Sequence, residues 1–152
     1  MAIRKILTNN DPVLLTKCRE IVDFDARLHE LLDDMAQTMR KADGVGLAAN
    51  QVGVLRRVCV IDVEDDDGLI ELINPEIVAC EGEQREQEGC LSYPGEFGTT
   101  KRPLTVEVKA FDRFGKPFTI KATALKARAL CHEIDHLDGV VFKSHVINGT
   151  NI

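Results

Sequence analysis

One stretch, Cys131-His132-Glu133-Ile134-Asp135-His136-Leu137-Asp138-Gly139, constrains this 152-residue chain more than any other. On an α-helix, positions i and i+4 share a face, so His132 and His136 can direct both imidazoles at one metal ion. Glu133 then sits beside the first ligand, within reach of a water on the ion without being a ligand itself. This His-Glu-x-x-His spacing is that of metal-dependent hydrolases whose Glu serves as general base. The competing expectation is a surface helix with two solvated histidines.

Two histidines do not hold a catalytic ion; a third protein ligand is needed, with one position left for water. Gly139 falls three residues after the second histidine, as in the extended metzincin pattern. Phe142, however, stands where that pattern requires its third histidine. Beyond Asp138 the chain has no Asp, Glu or Cys, so only His145 could coordinate there. The downstream-Glu pattern of thermolysin-like proteases fails as well. The third ligand is therefore expected upstream, and Cys90 is the candidate. Its surroundings, Gln87-Glu88-Gly89-Cys90-Leu91-Ser92-Tyr93-Pro94-Gly95, read as an irregular loop because of their Gly and Pro. The ordinary role of a lone cysteine is a small buried hydrophobe. Cys18, Cys59, Cys80 and Cys131 are expected to fill that role, with Cys131 abutting the motif and a possible neighbour of a substrate pocket.

The motif helix is expected to open near Thr123 and run to Leu137, with Gly139 as its stop. A first helix is expected from about Asp25 to Ala42, since Leu28, Leu31, Leu32, Met35 and Met39 recur at steps of three and four. Asp23 or Asp25 can cap it, Arg40 and Lys41 suit its negative end, and Gly44 is the expected stop. Between the helices, β-branched and aromatic residues mark strands at 57–63, 69–73, 77–80, 105–111 and 118–122. The loop Asp112 to Pro117 joins the last two as a hairpin. Strands between two helices without βαβ alternation make an α+β fold. The acidic run Glu64 to Gly68 reads as a solvated turn rather than a metal loop. Gly44-Val45-Gly46-Leu47-Ala48-Ala49-Asn50-Gln51 allows close backbone approach at its two glycines. No strand precedes it, so it is not a nucleotide-binding loop, and the plainer expectation is a capped helix end and a turn.

Composition removes the remaining classes. Nineteen Lys plus Arg against 25 Asp plus Glu leaves a formal charge of −6, which argues against a nucleic-acid binder. Five cysteines cannot form a fully paired disulfide framework, and none stand as Cys-x-x-Cys, so a reducing, cytoplasmic setting is expected. No signal or transit peptide and no apolar run of about 18 residues is present, so no membrane contact is expected. The length fits a single domain over residues 1–152.

Taken together, Gly44 to Gln51, Glu88 to Ser92 and His132 to Leu137 resemble the three signatures of the peptide deformylase family, in order and without mismatch at the defining positions. The resemblance implies a fold of mostly antiparallel sheets packed around a central helix that carries the histidines, plus one N-terminal helix. It implies hydrolytic removal of the N-formyl group from the formyl-methionine of newly made polypeptides, releasing formate. It makes Cys90 a ligand beside His132 and His136, Glu133 the base that later returns its proton to the amine, and Gln51 and the Leu91 N–H the oxyanion donors. Val45, Leu91, Ala129 and the His132 face would line the methionine pocket, with Gly46 letting the peptide backbone pair in extended form. Glu88 and Arg102 would form a supporting ion pair, unless they are independent surface charges. The residues alone point to zinc; the resemblance implies Fe(II), with Ni, Co or Zn able to replace it, and an oxidisable Cys90. Many members continue into a C-terminal helix linked to ribosome docking. Here only seven residues follow His145, and Asn148-Gly149-Thr150-Asn151 is too polar and turn-like for a helix. Ribosome association through that element is therefore not expected. The alternatives are a metallopeptidase using the same helix, and a binding module with a structural metal closed by His145.

Overall fold

A computed structural model describes residues 2–147. The segment Asn148 to Asn151, expected to be non-helical, lies outside the described residues. Helix α1 spans Ala26–Lys41 and helix α2 spans Ala124–Leu137. Between them lie β1 (Gly46–Ala48), β2 (Val58–Ile61), β3 (Ile70–Glu81), β4 (Gln84–Cys90), β5 (Tyr93–Arg102), β6 (Thr105–Phe111) and β7 (Pro117–Thr123).

The first helix begins where it does because Asp25 Oδ1 accepts the Leu28 N–H at 3.0 Å, satisfying one of the open donors of its first turn. Its far end corrects the expected stop. The left-handed residue after the helix is Asp43, at φ 57°. Gly44 instead lies under the Leu91 side chain: a Cβ there would stand 2.7 Å from Leu91 Cδ1 and push that side chain aside. Past α2 the expectation holds, with Gly139 at φ 77° and its backbone pressed against the Leu15 carbonyl.

Strands β1, β2, β3, β6 and β7 form one sheet in that order, with every pairing antiparallel; β4 and β5 form a separate antiparallel hairpin. The segments expected at 69–73 and 77–80 are one strand, β3. Pro75 interrupts its ladder, and the register against β6 shifts between Ile73 and Glu76, because a proline has no N–H to donate. The second half of β3 is exposed, and Cys80 with it, which corrects the expectation of an interior cysteine. A larger correction concerns Cys90. It ends β4 rather than sitting in an irregular loop, and a register shift between Gly89 and Cys90 breaks the ladder there. Such irregularities re-aim a side chain.

The core explains why the motif helix is central. In β2, Val58 and Val60 pack with Leu28, Leu31, Leu32, Met35 and Met39 of α1. The alternate residues, Cys59 and Ile61, pack with Ala127, Leu130, Ile134 and Leu137 of α2. Both faces of β2 are therefore covered and all four of its residues are buried. Burying one such leucine contributes roughly 1.5–3 kcal/mol of transfer free energy. The acidic turn at 64–68 gives its Asp65 and Asp67 carboxylates to Lys126 of α2.

Candidate active site

Three segments distant in sequence meet on one face of α2. Cys90 Sγ lies 3.2 Å from His136 Nε2, and one donor atom from each of Cys90, His132 and His136 lies within 4.8 Å of the others. The histidines are buried, at 7% and 0% exposure, while Cys90 is half-buried. A thiolate and two imidazoles converging at this spacing suit a transition-metal ion. Two polar atoms beside them, Glu133 Oε1 and His136 Nδ1, are buried without a hydrogen-bond partner among the described residues. Those orphaned atoms mark a site built for polar chemistry rather than for packing.

Each histidine is held from behind. His132 Nδ1 donates to Glu88 Oε2 at 2.5 Å, which leaves Nε2 for the site. The ring of Phe142 stacks on His132, with centroids 6.1 Å apart. Glu88 also accepts from Thr100 Oγ1 at 2.7 Å, and from Arg102 Nε at 3.1 Å and Nη2 at 2.8 Å. Arg102 continues to Asp135 at 2.6 Å. Glu88 and Arg102 thus form a buried pair, not two surface charges. Burial raises the Glu88 carboxyl, but bonds from His132 and Arg102 outweigh it and hold the group well below the carboxylate range. His136 is anchored through its own carbonyl, which accepts from Asn50 Nδ2 at 2.6 Å. Its imidazole is pushed down by burial, which favours the neutral, ligating form.

Glu133 is 4% exposed, and burial pushes its carboxyl up to about 7 against the pull of His132. Gly46 makes room for it: a Cβ at 46 would stand 2.5 Å from Glu133 Oε2. The Gln51 amide is fixed at both ends. Its Oε1 accepts the Ala48 N–H at 3.0 Å, and its Nε2 donates to Ser92 Oγ at 3.0 Å and makes a longer contact with Cys90 Sγ at 3.6 Å. Val45, Gly46, Gln51, Leu91, Ala129, His132 and Glu133 all line one pocket of about 420 Å³. Cys131 does not line it and packs into the core instead. His145 is not beside the trio either; its Nε2 lies 3.0 Å from Asp135 Oδ2. Sequence inspection missed Asn50, Ser92, Thr100 and Asp135. Three of them stand inside the quoted motifs, so only their polar character beside site residues could have flagged them.

Helix-borne histidines, a strand-end cysteine and a buried glutamate at a pocket define a metal-dependent hydrolase on an antiparallel α+β scaffold. The model of the family "Polypeptide deformylase" matches residues 3–151, and the chain belongs to that family. It is 56% identical over 147 residues to a peptide deformylase of Alkaliphilus metalliredigens, covering 97% of this chain and 99% of that one. Peptide deformylase 1 of Bacillus subtilis is 49% identical over 146 residues, covering 96% and 91%. Among solved structures, a Legionella pneumophila peptide deformylase superposes with TM-score 0.92 at 47% identity, covering 96% of this chain and 87% of that one. A Synechococcus elongatus peptide deformylase in complex with actinonin gives 0.92 at 40%, covering 96% and 82%. No helix among the described residues is long and apolar enough to cross a membrane.

Proposed function

We propose that residues 1–152 act as one catalytic domain in the bacterial cytoplasm, removing the formyl group from N-formyl-methionyl polypeptides and releasing formate. The observation that carries this is the Cys90, His132 and His136 trio beside buried Glu133, at the head of a pocket lined by Val45, Leu91 and Ala129. The trio would hold one divalent ion, Fe(II) by the family resemblance, with Zn, Ni or Co as substitutes. Such an ion supplies Lewis acidity and lowers the pKa of a water to about 7. Glu133, raised towards neutrality by burial, takes the proton of the attacking water and returns it to the leaving amine. Gln51 keeps one hydrogen on Ser92 and offers the other, now in its long contact with sulfur, to the oxygen developing on the formyl carbon. The Leu91 N–H is the second donor in this scheme. The methionine side chain fills the pocket, and Gly46 lets the peptide backbone pass in extended form beside β1. A net charge of −6 disfavours a nucleic-acid partner.

A structural metal closed by a fourth ligand has less support, since His145 is engaged by Asp135. Glu133→Ala is expected to lower formate release from formyl-methionyl peptides by about 10²–10⁴-fold while bound metal stays at one ion per chain. Near-normal turnover of that variant would contradict the role given to Glu133.

A further inference from the structure

The pocket carries a charge that the hydrolysis does not use. Residues 125, 128, 129, 132 and 133 of α2 line it, which is one helical face running from the histidines back towards the helix start. Among the described residues, Arg128 is the only lysine or arginine on that lining. Of the acidic lining residues, Glu88 is paired with Arg102 and Glu96 with Lys143. The other two acidic lining residues are Glu133 and Asp43, which follows the end of α1. Arg128 has no carboxylate partner among the described residues. Among the described residues it makes one hydrogen bond, from Nη1 to Gln84 Oε1 at 2.8 Å.

That bond is itself braced. Gln84 is 8% exposed, and its Nε2 donates to two backbone carbonyls, Pro103 O and Ala124 O, each at 2.9 Å. Buried amide, fixed carbonyls and guanidinium together hold a half-buried arginine at a set place beside the pocket. A guanidinium keeps further N–H donors after one is used, arranged for a carboxylate. The start of α2 adds partial positive charge at the same end.

From this we propose that Arg128 is a specificity-determining residue that favours an acidic side chain at the third residue of the formylated peptide. The inference rests on the deformylase function proposed above. The spacing selects the position. Arg128 precedes His132 by one helical turn, about 6 Å along the axis. In an extended peptide, residues one and three point to the same side about 6.7 Å apart. With the formyl-methionine held at the His132 level and the peptide running along α2 towards the helix start, the third side chain reaches the Arg128 level.

The test measures kcat/KM for formyl-Met-Ala-X peptides with X as Glu, Gln or Lys, on the metal-loaded full chain at low ionic strength. The wild type should favour Glu over Lys by about fivefold, mainly through KM, as expected for a partly exposed ion pair. High salt should erase the preference. Arg128→Gln should remove it, Arg128→Lys should keep part of it, and Arg128→Glu should invert it. Ratios between peptides on one variant cancel any general loss of activity or folded fraction. A wild type indifferent to X, or an unchanged ratio in Arg128→Gln, would overturn the assignment. Absence of formate from every peptide would instead overturn the deformylase function itself, and this inference with it.

Discussion

Glu88, on the pocket wall behind His132, is expected to set how firmly the proposed metal site is held. Its bond to His132 Nδ1 fixes both the tautomer and the ring orientation of that ligand. Three donor bonds from Thr100 and Arg102 keep the carboxylate in place. Replacing Glu88 by Gln is expected to weaken metal affinity by about 10–100-fold, measured by competition with a chelator. Affinity equal to wild type would mean that His132 needs no such partner. The partnership with Arg102 was only half legible in the sequence. Fourteen residues of separation say nothing until β4 and β5 pair and both side chains turn towards His132 and Asp135 of α2. The histidine spacing was legible at once, because an i, i+4 pair needs only a helix to become a site. Gly46 shows the opposite limit: its need to be glycine comes from Glu133, 87 positions away, and no local pattern displays it.

At the scale of elements, both helices could be read: α1 from its apolar periodicity and its Asp25 cap, α2 from its i, i+4 histidines and the Gly139 stop. The hairpin β4–β5 could not. Its sequence is charged and glycine-rich, and the side chains it buries, Gln84, Glu88, Thr100 and Arg102, are polar, so no apolar alternation marks it. Yet this hairpin delivers Cys90, Glu88 and Arg102. The join after α2 is equally exacting. Gly139 has φ 77°, and a Cβ there would stand 2.6 Å from Leu15 O, a backbone atom with little freedom to retreat. Gly139→Ala is expected to cost about 1–3 kcal/mol, lowering the melting temperature by roughly 3–10 °C. An unchanged melting temperature would show that the Leu15 segment yields freely.

At the scale of the whole molecule, a buried carboxylate ties the N-terminal segment to α1, together with a bond from the Arg4 N–H to Thr38 Oγ1 at 2.9 Å. Asp34 is 3% exposed and accepts the Ala2 N–H at 2.7 Å and Arg4 Nε at 2.9 Å. Burial alone would raise its pKa, but those bonds outweigh it, and the group lies below the ordinary value of 3.8. A carboxyl whose folded pKa is depressed stabilises the fold above its unfolded pKa, and that stability is lost as pH falls through the folded value. Wild type should therefore lose more stability than Asp34→Asn on acidification from about pH 6 to about pH 3, followed by thermal unfolding. Parallel pH profiles would remove Asp34 from the acid response. The central claim, a metal-dependent deformylase, concerns the same whole chain. Its most direct measurement is anaerobic formate release from formyl-methionyl peptides by iron, nickel, zinc and chelated forms, with unformylated peptides alongside. The account predicts formate from the loaded forms, none after chelation, recovery on adding metal back, and intact peptide bonds throughout. Cleavage of internal peptide bonds, or no formate from any metal form, would contradict it.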